Sequence, residues 1–428
     1  MKRYINPDEN TLRTALERPA LAQQDLSNLV KSIFDDVKQR GDAALRDYAL
    51  KYDGFAPDNL FVSEAEFDAA SKELSQELKS AIDKAYRNID KFHRAQHENM
   101  APVETSLGVT CWRKSVGIEK VGLYIPGGTA PLFSTVLMLG VPAIIAGCKE
   151  VILVTPANKE GKINPAILYT ASVIGLKKVV KLGGIQAIAA LSLGTESLSN
   201  VYKIFGPGNQ YVTAAKQYAQ SLGIAIDMPA GPSEVMVVAD ATANPTFLAA
   251  DLLSQAEHGA DSQVVLVTDE PTLLEKVEEE VSRQLAELPR KELATQSLES
   301  ARLIAVDRSK LLDVINTYAP EHLILNTQFN QELVDGIINA GSVFIGAYTP
   351  ESLGDYASGT NHTLPTNGFA RAYSGVSLDS FVRKITFQEV TPAGILDLGP
   401  TVEIMAAAEQ LDAHKNAVTY RLNELNKQ

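Results

Sequence analysis

The sequence predicts an α/β protein built of two tandem parallel-sheet units with helical extensions at both ends. Three observations carry that expectation. From about residue 118, short β-rich runs alternate with helical runs, the signature of strand–helix–strand units. The strand runs are apolar throughout and do not alternate, which fits sheets covered on both faces. A second alternation of the same kind opens at Val235. A chain of 428 residues, at roughly 150 per domain, has room for two or three domains.

The first hundred residues are helical and polar, with apolar positions at helical spacing over Leu26–Leu50 and Ala65–His97 and few strand signals. Strands are then expected at Val121–Ile125, Val151–Val154, Val179–Leu182 and Val201–Phe205, with a weaker one at Ile224–Ile226. The helices between them are Phe133–Ile145, Pro165–Ile174, Gln186–Leu193 and Asn209–Ser221. The stretch Val121–Cys148 carries no charge, but its most apolar part, Leu132–Gly147, is shorter than the roughly 18 residues of a spanning helix and is interrupted by Pro142. It reads as a buried helix.

In the second unit, Val235–Ala239 is a strand, and Asn244-Pro245 opens a helix with Asn at the N-cap and Pro at N1. That helix is expected to run to His258, with Gly259 as its stop. Strands follow at Val264–Val267, Leu303–Val306 and Gly341–Ile345, with helices near Thr272–Leu288 and Ser309–Tyr318. Ala347–Arg371 is rich in Gly, Pro, Thr and Asn and reads as a long functional loop. Thr401–Leu425 reads as one tail helix.

Composition bounds the function. Hydrophobic residues make up 45% and charged residues 21%, ordinary for a globular protein. A net charge of -13 argues against nucleic-acid and anionic-membrane partners. Two cysteines, Cys111 and Cys148, supply neither a disulfide framework nor a thiolate zinc cluster, and both read as inert thiols. The opening Met1–Asp8 lacks an apolar core, so no signal peptide and a cytoplasmic location are expected.

Three strand ends carry glycine turns: Tyr124-Ile125-Pro126-Gly127-Gly128, Leu182-Gly183-Gly184-Ile185-Gln186 and Phe205-Gly206-Pro207-Gly208-Asn209. Each precedes a helix, whose free N–H groups and positive dipole end suit a phosphate. All would lie at the carboxyl ends of parallel strands, where open α/β sheets bind ligands. None is a G-x-G-x-x-G fingerprint, and no acidic residue follows Val154 to take a ribose hydroxyl. The plainer alternative is tight turns alone. The fold expected is therefore Rossmann-like but incomplete as a dinucleotide fold.

There are six histidines. His93 and His97, in a polar helix, read as solvated. Gln255 and His258 are three apart and share a helix face at the mouth of the strand–helix unit, although a helix-dipole role would also suit His258. Glu321-His322 is a possible proton-transfer pair. Asp355 and His362, in the glycine-rich loop, resemble metal ligands or a catalytic pair, with a turn-forming Asp355 as the alternative. Glu409 and His414, on the tail, read as surface. Nitrogen and oxygen donors without thiolates suit zinc or manganese. The residues alone reach a metal-assisted α/β enzyme with a possible nucleotide.

Several longer strings resemble the histidinol dehydrogenase family. They are Leu252-Leu253-Ser254-Gln255-Ala256-Glu257-His258-Gly259, Ala319-Pro320-Glu321-His322-Leu323, and the loop Gly354–His362. Gly206-Pro207-Gly208-Asn209, Asp227-Met228-Pro229-Ala230-Gly231-Pro232-Ser233-Glu234 and the tail Ala413-His414-Lys415-Asn416-Ala417 complete the set. The resemblance runs from about residue 30 to the end. It implies oxidation of L-histidinol to L-histidine in two steps through a bound aldehyde, with two NAD+ reduced. It implies one zinc per subunit on Gln255, His258, Asp355 and His414, and an acid–base pair of Glu321 and His322. Substrate contacts would be Ser233, Gln255, His258, His322, Asp355, His362, Glu409 and His414, and NAD+ contacts Tyr124, Gln186 and Asn209. It also implies a homodimer whose tail reaches the partner's site.

The expected divisions are then residues 1–117, helical and partly packed with the second unit; 118–232, the first unit with the NAD+ turns; 233–380, the second unit with the metal and catalytic residues; and 381–428, the tail. Three other readings stay open. They are a relative oxidising another amino or sulfonated alcohol, a zinc hydrolase without redox chemistry, and a binding protein.

Overall fold

In the computed structural model the chain forms fourteen strands: β1 (Lys2–Ile5), β2 (Val103–Ser106), β3 (Val109–Gly117), β4 (Lys120–Tyr124), β5 (Glu150–Thr155), β6 (Val179–Lys181), β7 (Lys203–Phe205), β8 (Ala225–Ile226), β9 (Glu234–Ala239), β10 (Gln263–Thr268), β11 (Arg302–Ala305), β12 (His322–Asn326), β13 (Ser342–Ile345) and β14 (Val382–Val390). The structure describes residues 1–19, 26–127, 131–229 and 231–427. Gly128, the end of the first glycine turn, and Ala230, within the string before β9, lie outside the described residues.

Two parallel sheets organise the molecule. One has five strands in the order β6-β5-β4-β7-β8, and the other six in the order β1-β11-β10-β9-β12-β13. In each, the strand order reverses beside the first strand of the unit, the topology of doubly wound folds. Both faces are buried. Along β9, Val235, Val237 and Ala239 join one core while Met236 and Val238 join the opposite one. That explains why these runs read as continuously apolar. The uncharged stretch after β4 forms the buried helix Phe133–Ile145, Pro142 included. Among the described residues no helix is long and apolar enough to cross a membrane.

Several expectations need correction. β1 pairs in parallel with β11, so the N-terminal segment supplies an edge strand to the second sheet. Its four residues are too short and exposed to show a strand period. β3 pairs antiparallel with β14 and with β2 in a third sheet. The tail is two helices, Pro392–Ala408 and Asp412–Leu425, broken where Gln410 takes a left-handed φ of 60°. The stretch Ala347–Arg371 is not all loop, since it contains the helix Glu351–Tyr356 with Asp355 in its last turn. The helix from Pro245 stops at Ala256, so His258 sits in the turn beyond it, and Gly259 does not take the left-handed conformation of a stop.

His93 is the clearest correction. It is fully buried, not solvated. Its Nδ1 lies 2.9 Å from the Ile89 carbonyl, which accepts only, so Nδ1 carries the proton. Nε2 then accepts from the Asn361 amide, which also donates to the Met138 carbonyl. His97 is exposed.

Candidate active site

β12 inserts between β9 and β13, with His322 opposite Val235 and Ser342. Glu234 and His322 are the first residues of their strands, so the Glu321-His322 pair stands at the amino edge of the second sheet. The mouth of the strand–helix unit expected to hold Gln255 and His258 is thus at the amino edge of this sheet. The helix Pro245–Ala256 leaves the carboxyl end of β9 and returns, which carries Gln255 and then His258 back to the amino edge.

One backbone residue holds both members of the pair. The Glu234 N–H donates to Glu321 Oε2 at 2.7 Å, and the Glu234 carbonyl accepts from His322 Nδ1 at 3.1 Å. Arg18 in turn grips the fully buried Glu234 carboxylate with two bonds of 2.5 and 2.7 Å, and its guanidinium stacks over the Tyr318 ring. Because Nδ1 donates to a carbonyl, His322 Nε2 is left as the reactive nitrogen. It lies 3.5 Å from Asp355 Oδ1 and finds no hydrogen-bond partner among the described residues.

Electrostatics follow from burial. Burial pushes the Glu321 carboxyl well above the usual carboxylate range, against the opposing pull of His322. Burial pulls the His322 imidazole down, but Glu321, Asp355 and Glu351 outweigh it and raise its proton affinity. Burial would raise Asp355, yet the His322 imidazole 3.5 Å away and the nearby His362 and His258 hold it below the ordinary value.

Beside this pair lie donors suited to a cation. Gln255 is buried, and neither of its amide atoms has a partner among the described residues. An orphaned buried amide is costly and points to an absent ligand. His258, with its proton affinity lowered by burial, feels the charge of Asp355. His362 donates from Nδ1 to the Asp355 carbonyl at 2.8 Å, and its Nε2 accepts from Thr135 at 3.1 Å. Thr135 begins the helix after the first glycine turn, so this contact joins the second unit to the carboxyl edge of the first sheet. Among the described residues no group of three or more His, Cys, Asp or Glu converges as a metal site. His258, Asp355 and the Gln255 amide are the donors nearest the pair that a cation could use.

The three glycine turns do share one edge. They border a cavity of about 1360 Å³ lined by Tyr124, Pro126, Pro156, Gly184, Gln186 and Asn209. Tyr124 accepts from the Gly184 N–H at 3.2 Å, and Asn209 caps the helix Gln210–Ser221 by accepting from Tyr211 and Val212. Both amide atoms of Gln186 are buried without partners among the described residues. Gly206 needs its φ of 128°, and a Cβ there would meet the Tyr124 carbonyl.

The model of the family described as histidinol dehydrogenase matches residues 16–422. The chain belongs to the histidinol dehydrogenase family. A histidinol dehydrogenase of Bacteroides thetaiotaomicron is 59% identical over 426 residues, covering 99% of this chain and 100% of that protein. One of Campylobacter jejuni is 52% identical over 426 residues, covering 99% of each. The crystal structure of histidinol dehydrogenase from Elizabethkingia anophelis superposes with a TM-score of 0.98 at 56% identity, covering 100% of this chain and 99% of that one. The chain is therefore an oxidoreductase.

Within this histidinol dehydrogenase fold the tail stands apart. Glu409 and His414 are exposed, and the helix carrying His414 packs mainly on the helix before it. The single chain thus gathers Gln255, His258, Glu321, His322, Asp355 and His362, but not Glu409 or His414. Ser233 directly precedes β9, its carbonyl accepting from Gln263. Two contributors escaped sequence reasoning. Glu351, buried, accepts from Ser254 at 3.0 Å and lies 4.0 Å from His322 Nδ1. It is four residues before Asp355 on one helix, a spacing that could have revealed it. Arg18 had no such signal, because its partner is far along the chain. Cys148 is inert, its thiol pushed up to about 12 by burial.

Proposed function

We propose that this chain is a zinc-dependent, NAD+-linked L-histidinol dehydrogenase of histidine biosynthesis, oxidising L-histidinol to L-histidine in two steps through bound L-histidinaldehyde. The observation that carries this reading is the His322 ring, with Glu321 beside its Nδ1 and Asp355 beside an Nε2 that has no hydrogen-bond partner among the described residues. The names of the relatives support the substrate. The interplay of a proton-transfer pair, cation donors and a dinucleotide-sized cavity leaves a plain hydrolase without a use for the glycine turns.

Zinc on Gln255, His258, Asp355 and His414 of the partner subunit would supply positive charge that holds the substrate's imidazole and amine and keeps His322 neutral. NAD+ against Tyr124, Gln186 and Asn209 would supply the hydride acceptor. His322 Nε2 takes the hydroxyl proton as hydride leaves the alcohol carbon. Glu321, whose proton affinity is raised by burial, then takes a proton from water as that water adds to the aldehyde. His322 returns its first proton to the aldehyde oxygen as the water adds, and its freed Nε2 then receives the hydroxyl proton of the hydrate as the second hydride leaves to a second NAD+. Glu234 holds the imidazole orientation through both steps, and Glu351 steadies the same ring. Ser233, His362 and Glu409 would orient the substrate.

A homodimer follows from the same logic. Ile404, Met405 and Tyr420 on the tail are 72, 60 and 70% exposed, an apolar face that a second copy would cover while delivering Glu409 and His414. The test is NADH formation from L-histidinol. It is expected to vanish on chelation and return with zinc, and activity indifferent to chelation would contradict the metal role.

A further inference from the structure

A dinucleotide fold ordinarily ends its second strand in a carboxylate that takes the ribose hydroxyls. Here that strand, β5, ends in Thr155-Pro156-Ala157, with no acid. A carboxylate nevertheless reaches the same cavity wall from outside the sheet. Asp53 closes the helix Asp42–Asp53 of the N-terminal helical layer, and Gly54 beyond it turns the chain away with a φ of 77°. Asp53 lines the large cavity together with Tyr52, Thr155, Pro156, Gly184 and Gln186. Its carboxylate accepts from the Gly183 N–H at the end of β6, the strand next to β5.

Two features separate Asp53 from a mere helix cap. Its Oδ2 is buried and has no hydrogen-bond partner among the described residues. Burial is the main cause lifting its carboxyl to about 6, although Lys159 and Lys162 also line the cavity. On the same wall the Gln186 amide is orphaned as well. Two adjacent polar groups left unsatisfied in one cavity point to a polyhydroxylated ligand.

We propose that Asp53 takes the place of the missing strand-end acid, accepting a hydrogen bond from the adenosine ribose 2′-hydroxyl of the dinucleotide and excluding a 2′-phosphate. This rests on the dinucleotide reading of the cavity and adds to it the source of cofactor choice. The carboxylate accepts the hydroxyl proton in a charge-assisted bond, whereas a phosphate would bring like charge against it in a partly desolvated place.

The test compares NAD+, NADP+ and 2′-deoxyadenosine NAD+ as acceptors for L-histidinol in the holoenzyme and in Asp53→Asn. The substituted amide oxygen still accepts from Gly183, so the turn is preserved while the charge is lost. The unaltered enzyme is expected to favour NAD+ over the deoxy analogue by about tenfold or more in KM, the size of a charge-assisted bond. Asp53→Asn should raise KM for NAD+ and increase the NADP+ to NAD+ ratio of kcat/KM by about tenfold or more. Equal use of NAD+ and its deoxy analogue by the unaltered enzyme would overturn the proposal without any variant. An unchanged NADP+ to NAD+ ratio in Asp53→Asn would overturn it too. Reduction of none of the three would instead sink the dinucleotide reading itself.

Discussion

At His322 a single ring nitrogen decides the chemistry. Nδ1 is committed to the Glu234 carbonyl, which leaves Nε2 as the nitrogen available to the proposed proton transfer. His322→Asn keeps a donor near that carbonyl but removes the base. Turnover should fall by roughly a hundredfold to ten-thousandfold, the usual worth of a general base, with little change in the unfolding midpoint. An unaltered rate would take His322 out of the mechanism. The chemical types at this site were legible in the sequence because Glu321-His322, Gln255-x-x-His258 and Asp355 with His362 each sit in compact strings. Their supports were not. Arg18 and Glu234 are 216 residues apart, and Asn361 meets His93 across 268, so no local pattern reports them.

At the scale of elements, the helix Gln76–Arg94 anchors the segment that carries His362. His93 accepts from Asn361 only while its Nε2 is unprotonated. Burial lowers the His93 proton affinity below the ordinary histidine value, so its folded pKa lies below its unfolded one. The stability it contributes is therefore present above about pH 6.5 and lost as pH falls through the folded value. Thermal midpoints measured from pH 8 to 5 should decline less steeply in His93→Gln than in the unaltered chain. Identical slopes would show that His93 does not report on this anchor. The misreading of His93 as solvated has a physical cause. Its helix is strongly amphipathic, and one polar residue on the inward stripe with Ile82, Ala85 and Ile89 looks like its charged neighbours. Strands β4 to β7 and β9 to β11 were legible because they are largely apolar and buried. The exposed β1, β2, β3 and β14 were not, since exposed strands lose that signal, and the buried β12 was not expected either, its first residue being read with Glu321 as a pair.

At the scale of the whole molecule, the carboxyl edge of the first sheet meets the amino edge of the second through Thr135 and His362. That junction ties the segment carrying His362 to the helix after the first glycine turn. The tail closes the arrangement only if a second copy supplies it. Mixed dimers of His414→Asn and His322→Asn subunits should then recover activity, because one of the two sites would have both native residues. Mixtures no more active than either variant alone would contradict a shared site. The most direct test of the account is the NADH yield per molecule of L-histidinol consumed to completion with excess NAD+ and zinc. Two NADH per substrate, with L-histidine as product, is the predicted result. One NADH with free aldehyde would contradict the two-step oxidation.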